Sequence, residues 1–168
     1  MARANLGVWG DSIAWGANDF EKGGRVARLW NHYLSKDLPL EVYNLGISGD
    51  STADVIKRFE SESSSREIDI VIFAIGINDT QYLDAKQNRV SLKEFQNNIN
   101  KLYTLAQKFT KNIIFLSLTK VDESKTTPIP RNTKKSFYMK DVLTYNDVIK
   151  SFCMQNGVSF IDVFDYGL

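Results

Sequence analysis

The chain has 168 residues, 43% of them hydrophobic, with three prolines and a formal net charge of +1, enough apolar matter for one packed domain over 1–168. Charges of both signs are interspersed, so no basic stripe follows a nucleic-acid backbone and no acidic tail is present. Apolar runs stay at about five to seven residues where a bilayer span needs roughly 20, and the N-terminus lacks a signal-peptide h-region, so the sequence reads as a cytoplasmic protein with no membrane span.

Short β-branched apolar runs alternate along the chain with longer stretches of helical spacing. The first strand is Leu6 to Trp9, and the run Val8-Trp9-Gly10-Asp11-Ser12-Ile13-Ala14-Trp15-Gly16 places a serine between glycines where that strand ends. A helix follows, with Val26, Leu29, Trp30, Tyr33 and Leu34 on one face. Val42 to Leu45 is a second strand, and Thr52 to Phe59 a short helix after a glycine-rich turn. Glu60 to Arg66, with three consecutive serines, is expected to be a solvated loop.

Asp69 to Ile75 is almost uninterrupted apolar sequence, which suits a central parallel strand covered on both faces. Ser91 and Glu94 make a capping box that opens a helix carrying Phe95, Ile99, Leu102, Leu105 and Ala106 inward. Asn112 to Leu118 is another buried strand, and a polar, proline-containing loop from Thr119 to about Lys135 leads to a helix over Met139 to Gln155. The single cysteine, Cys153, lies on the apolar face of that helix with Val148, Ile149 and Phe152, so core packing is expected of it rather than thiol chemistry. Val158 to Val163 is the last strand. This alternation predicts a three-layer α/β/α sandwich on a parallel sheet of five strands, with ligands outside the carboxyl ends of the strands.

Three strand-to-helix loops are unusually polar and glycine-rich, and all three should reach the same edge of the sheet. They are Gly10-Asp11-Ser12, Asn44-Leu45-Gly46-Ile47-Ser48-Gly49-Asp50 and Gly76-Ile77-Asn78-Asp79. Singly, each is ordinary turn and cap chemistry. A phosphate loop fails on its last two positions, because Ala17-Asn18 stands where Lys-Ser/Thr must follow Gly16. A flavin at the switch point of a flavodoxin-like sheet leaves Gly49 and Asn78 unexplained.

In this order, after the first three strands, the loops resemble the blocks of the SGNH (GDSL-like) hydrolase family, and the resemblance covers nearly the whole sequence. It implies that family's flavodoxin-like, five-stranded fold and a serine ester hydrolase, a GDSL-type esterase, lipase or acylhydrolase, working through an acyl-enzyme. Carried over, Ser12 is the nucleophile, while the Ser12 N–H, the Gly49 N–H and the Asn78 side chain form the oxyanion hole. Prealigned neutral donors of this kind are worth roughly 10²- to 10³-fold in rate each. A glycine at 49 is expected to let its N–H approach without a Cβ in the way. Asp11, Asp50 and Asp79 border the site without metal-ligand spacing and read as loop-organising acceptors. No metal or organic cofactor is implied; the implied partner is a small-molecule ester.

The family's fourth block, Asp-x-x-His, carries the general base and the aspartate that orients it. Here the last strand is followed by Asp165-Tyr166-Gly167-Leu168, and no Asp-x-x-His occurs. Asp162 and Asp165 read as strand-end and turn residues. The single histidine, His32, falls off the inward face of its helix. The base and the family's final helix are therefore expected beyond residue 168. On that expectation the sequence is incomplete at its C-terminus, exposes apolar surface that invites self-association, and is nearly inactive as it stands. The alternatives are a noncatalytic family member holding an acyl or acetylated-sugar ligand, or a partner protein that supplies the histidine. Acyl esters, thioesters, lysophospholipids and acetylated carbohydrates all stay open as substrates. The loop with Lys120, Lys125, Arg131, Lys134 and Lys135 either meets an anionic or sugar substrate or is solvated. Trp15 and Tyr82 either stack on a sugar or pack locally.

Overall fold

Residues 3–16, 39–84 and 86–166 are described by a computed structural model of the protein. In sequence order they form β1 (Ala4–Gly10), α1 (Ser12–Trp15), β2 (Leu40–Gly46), α2 (Thr52–Ser64), β3 (Ile70–Ala74), β4 (Tyr82–Leu83), β5 (Gln87–Asn88), α3 (Leu92–Ala106), β6 (Asn112–Leu116), α4 (Glu123–Thr126), β7 (Lys135–Ser136), α5 (Met139–Asn156) and β8 (Ser159–Ile161), with 3-10 turns at Ile77–Thr80 and Phe164–Tyr166. The helix expected around Val26 to Leu34, with His32, lies outside the described residues.

Five strands make one parallel sheet in the order β2-β1-β3-β6-β8, as the alternating pattern predicts. The polypeptide steps from β1 outward to β2, then crosses back to β3, so the direction of winding reverses between β1 and β3. A crevice opens at the carboxyl ends of strands that part in this way. Register puts the three polar loops there together, because Gly10 pairs with Gly46 on one side and Ala74 on the other.

Successive side chains of a strand point to opposite faces, and β1 buries both: Trp9 packs into one cluster and Val8 into another. On the first face Trp9, Phe73 and Phe115 meet Phe59 of α2, Phe95 and Ile99 of α3, and Tyr145 and Ile149 of α5. Each such side chain contributes roughly 1.5–3 kcal/mol by leaving water. On the second face Leu6, Val8, Val42 and Ile72 cluster with Ala14 of α1. Helix α3 buries Phe95, Ile99, Leu102, Leu105 and Ala106, the face its spacing predicts, and Ser91 caps it by accepting from the Glu94 N–H at 3.3 Å. Cys153 is 1% exposed, and burial pushes its thiol up to about 11, so it packs in the core as expected.

Two expectations change. Helix α2 does not stop at Phe59 but runs to Ser64, so residues 60–64 are helical rather than a solvated loop. Arg58 and Glu62 pair one turn apart at 2.7 Å, and the Ser63 and Ser64 hydroxyls donate to the Phe59 and Glu60 carbonyls, giving these polar residues partners inside the helix. The stretch from Thr119 to Lys135 is also not structureless: it contains α4 and enters β7, which joins β4 and β5 in a small antiparallel sheet. Among the described residues no helix is long and apolar enough to cross a membrane.

Candidate active site

Asp11 leaves β1 in an extended conformation and accepts the Ile13 N–H at 2.8 Å, which caps α1 and makes Ser12 its first residue. The helix has only four residues, ended by Gly16 at φ 85°. It lies against the end of β2, where a Cβ on Gly46 would stand 2.6 Å from the Trp15 nitrogen, so only glycine permits the approach. Asn44 fastens the junction by donating to the Ala14 carbonyl at 3.0 Å while accepting the Gly46 N–H at 3.0 Å. Asp11 itself is 2% exposed, and burial pushes its carboxyl up to about 6 against the backbone donors that hold it.

The second loop turns tightly, with the Asp50 N–H donating to the Ile47 carbonyl at 3.1 Å. Gly49 sits at φ 87°, and a Cβ there would meet nothing within 4 Å. The left-handed backbone by itself calls for glycine at 49. Side chains from elsewhere tie the turn down. The Asp50 carboxylate accepts from Arg58 at 2.9 Å, and desolvation still raises its pKa against that cation. Arg58 reaches on to Glu62 at 2.7 Å, Glu62 accepts the Trp9 indole N–H at 2.8 Å, and Arg58 also donates to the Gly10 carbonyl at 3.4 Å. Arg89 donates to the Gly49 carbonyl at 2.7 Å and to Asp54 at 2.9 Å. Although desolvation raises it, hydrogen bonds from Ser51 and Lys57 bring the Asp54 carboxyl down to about 2.

The third loop is the turn Ile77–Thr80. Asn78, 8% exposed, donates from Nδ2 to the Asp50 carbonyl at 2.9 Å, which locks the third loop to the second. A primary amide has two hydrogens, so one remains for another acceptor. Asp79 is fully buried and accepts the Thr52 N–H at 3.0 Å and the Thr52 hydroxyl at 2.5 Å, fixing the start of α2. Burial pushes its carboxyl up to about 7, with the Thr52 bonds opposing. Asn98 completes this cluster by donating to the Thr52 hydroxyl at 2.9 Å. Each of the three aspartates thus holds a loop or a helix start.

Beside α1 lies a cavity of about 120 Å³ walled mainly by apolar side chains, among them Ile13, Ala74, Ile77, Leu116 and Val163; Asp11, Ser117 and Thr119 also line it, whereas Ser12, Gly49 and Asn78 do not. The segment after β8 is held by one local turn contact and one distant pair: Asp162 accepts the Phe164 N–H at 3.1 Å, and Asp165 pairs with Lys120 of the loop after β6. Lys125 pairs with Asp122 at 3.0 Å, and the Tyr82 ring packs edge-on to Tyr138 with centroids 5.1 Å apart. Among the described residues no group of three or more His, Cys, Asp or Glu is arranged to hold a metal ion.

The sequence motifs do not mark Arg58, Arg89, Thr52 or Asn98. For Arg58 the i,i+4 spacing to Glu62 is a usable signal. Arg89 has none, because its partner Gly49 stands 40 positions away.

A sequence profile of the GDSL-like lipase/acylhydrolase family matches residues 8–168. An acetylxylan esterase from Geobacillus stearothermophilus is 26% identical over 130 residues, 75% of this chain and 55% of that protein, so the protein spans about half the length of this curated relative. Among solved structures, a lipase/acylhydrolase from Enterococcus faecalis superposes with a TM-score of 0.75 at 18% identity, covering 97% of this chain and 77% of that one. The acetylxylan esterase from Geobacillus stearothermophilus superposes with a TM-score of 0.69 at 23% identity, covering 97% and 77%. These structural likenesses establish the fold, a parallel five-stranded sheet with flanking helices. Since the profile runs from within β1 across the whole parallel sheet and all three glycine-rich loops, the chain belongs to the GDSL-like lipase/acylhydrolase family.

Proposed function

We propose that the protein is a serine ester hydrolase whose Ser12 hydroxyl attacks the ester carbonyl. The carbonyl oxygen becomes a tetrahedral oxyanion, received by the Ser12 N–H, the Gly49 N–H and the Asn78 side chain. Loss of the alcohol gives an acyl-enzyme, and water then releases the acid. The observation that carries this reading is the Asn78 bond to the Asp50 carbonyl at 2.9 Å. It orients the amide and ties it to the turn that bears Gly49, while its second hydrogen stays available. Neutral donors held in this way need no reorganisation as charge develops.

Short acyl groups are the favoured substrates, acetyl esters of sugars first among them. The support for this preference is the curated relative, an acetylxylan esterase. Attack also needs a base to take the Ser12 proton. The 168 residues contain no Asp-x-x-His to provide it, so on this reading the polypeptide turns esters over slowly by itself and responds to an added base. Hydrolysis of p-nitrophenyl acetate, with and without imidazole, tests this against Ser12→Ala. The expected result is turnover that depends on Ser12 and rises with imidazole beyond the reagent's own rate. Equal rates for the two proteins under both conditions contradict the hydrolase. If acetylated xylo-oligosaccharides then still bind, the noncatalytic binding protein takes its place.

A further inference from the structure

Gly49 poses a mechanical problem. It is exposed, it has open space where a Cβ would be, and it sits at φ 87° in the residue type with the widest backbone freedom. Its own neighbours give it little support: within the turn, the Asp50 N–H to Ile47 carbonyl bond spans Gly49 without gripping it. A donor that must meet an oxyanion within a few tenths of an ångström cannot swing.

We propose that Arg89 is the positioning residue that holds the Gly49 backbone in its presenting orientation, an inference that rests on Gly49 being an oxyanion donor. One guanidinium nitrogen donates to the Gly49 carbonyl at 2.7 Å and another to Asp54 at 2.9 Å. The first contact fixes the peptide plane on the carboxyl side of Gly49; the Gly49 N–H lies in the plane before it, so the anchor reaches the donor through the Gly49 Cα. The second braces the guanidinium against α2, because Asp54 also accepts the Ser51 N–H at 3.1 Å and the Ser51 hydroxyl at 2.7 Å. The backbone of Arg89 is equally well founded. Its N–H donates to the Gln81 carbonyl at 2.7 Å, the next N–H, of Val90, donates to the Asp79 carbonyl at 3.2 Å, and the Tyr145 hydroxyl donates to the Val90 carbonyl at 2.6 Å. A planar fork with two donors in fixed relation suits this bridge; an ammonium on a flexible stem serves one acceptor at a time. Asn78 grips the following carbonyl, of Asp50, so two successive peptide planes after Gly49 are pinned from two different elements.

The test combines backbone relaxation with kinetics on [¹⁵N]glycine-labelled protein, comparing wild type, Arg89→Gln and Arg89→Lys. In Arg89→Gln the Gly49 amide order parameter should fall from about 0.85 to below about 0.6, with the other assigned glycines unchanged. Imidazole-assisted turnover of p-nitrophenyl acetate should drop about tenfold in kcat with KM unchanged, less than the roughly 10²-fold or more that follows outright loss of a donor. Arg89→Lys should recover part of both. A Gly49 amide that stays rigid in Arg89→Gln overturns the clamp, whatever the kinetics. A loosened Gly49 with unchanged kcat overturns its link to catalysis. Ser12→Ala, run alongside, separates the two readings: if it is as active as wild type, the hydrolase reading fails, while the relaxation result still decides whether Arg89 clamps the turn.

Discussion

In the proposed mechanism the corner that carries Ser12 and the turn that carries Gly49 do adjacent work, and the two are held differently. At the Ser12 corner the helix is capped from within, with Asp11 on Ile13 and Gly16 ending it four residues on, and Asn44 of β2 fastens it to the sheet. The Gly49 turn is held from afar, by Arg58 through Asp50, by Asn78 and by Arg89. A nucleophile can be shaped by the sequence immediately around it, because a capped helical turn fixes its direction. A backbone donor at a left-handed glycine has no such resource, so the fold supplies the stiffness from other elements.

The contrast sets an order for its own tests. Asn78→Ala removes both a tie on the turn and a proposed donor, so kcat should fall roughly 10²- to 10³-fold, measured against Ser12-dependent ester hydrolysis. Arg58→Met leaves Asp50 and Glu62 without their shared cation in a place where the arginine is only 15% exposed. Unfolding in urea should show a loss of about 3 kcal/mol.

The buried carboxyls give a pH signature. Asp79 and Asp11 have folded-state pKa values near about 7 and about 6, above the ordinary 3.8, so between those limits the folded protein binds protons more tightly than the unfolded one. Stability therefore falls as pH rises from about 4 to about 7, by several kcal/mol, and is level above that. Asp79→Asn should flatten the upper part of the decline in denaturant midpoints taken across that range. A slope that rises with pH in wild type contradicts the burial assigned to Asp79. The smallest effect belongs to the Ser12 corner: Asp11→Ala should cost about 1 kcal/mol as a lost cap and leave the Gly49 amide unchanged in relaxation. A response at Gly49 would mean that the Asp11 cap reaches the turn across the bridge Arg58 makes between the Gly10 carbonyl and Asp50.

How much of this is legible in the sequence follows the same division. The strands, the inward face of α3 and the packing of Cys153 are readable, since periodicity and apolar character are written within each segment. The three polar loops are readable as a set, and register brings them to one sheet edge. The end of α2 is not, because serines are weak helix formers whose support comes from bonds to carbonyls one turn back. Two-residue strands such as β4, β5 and β7 carry no alternation to detect. The spacing of Arg58 to Glu62 is legible, but only the folded protein reveals that Arg58 and Arg89 hold the Gly49 turn.

Phosphonylation by an alkyl fluorophosphonate tests the central claim most directly. Ser12 Oγ displaces fluoride at phosphorus, and the adduct places a phosphoryl oxygen where the oxyanion would sit. Peptide mass spectrometry after incubation with imidazole should find one phosphonyl group per polypeptide, on Ser12, and none in Ser12→Ala. Label spread over other hydroxyls, or an unmodified Ser12, would contradict a nucleophile activated at this site.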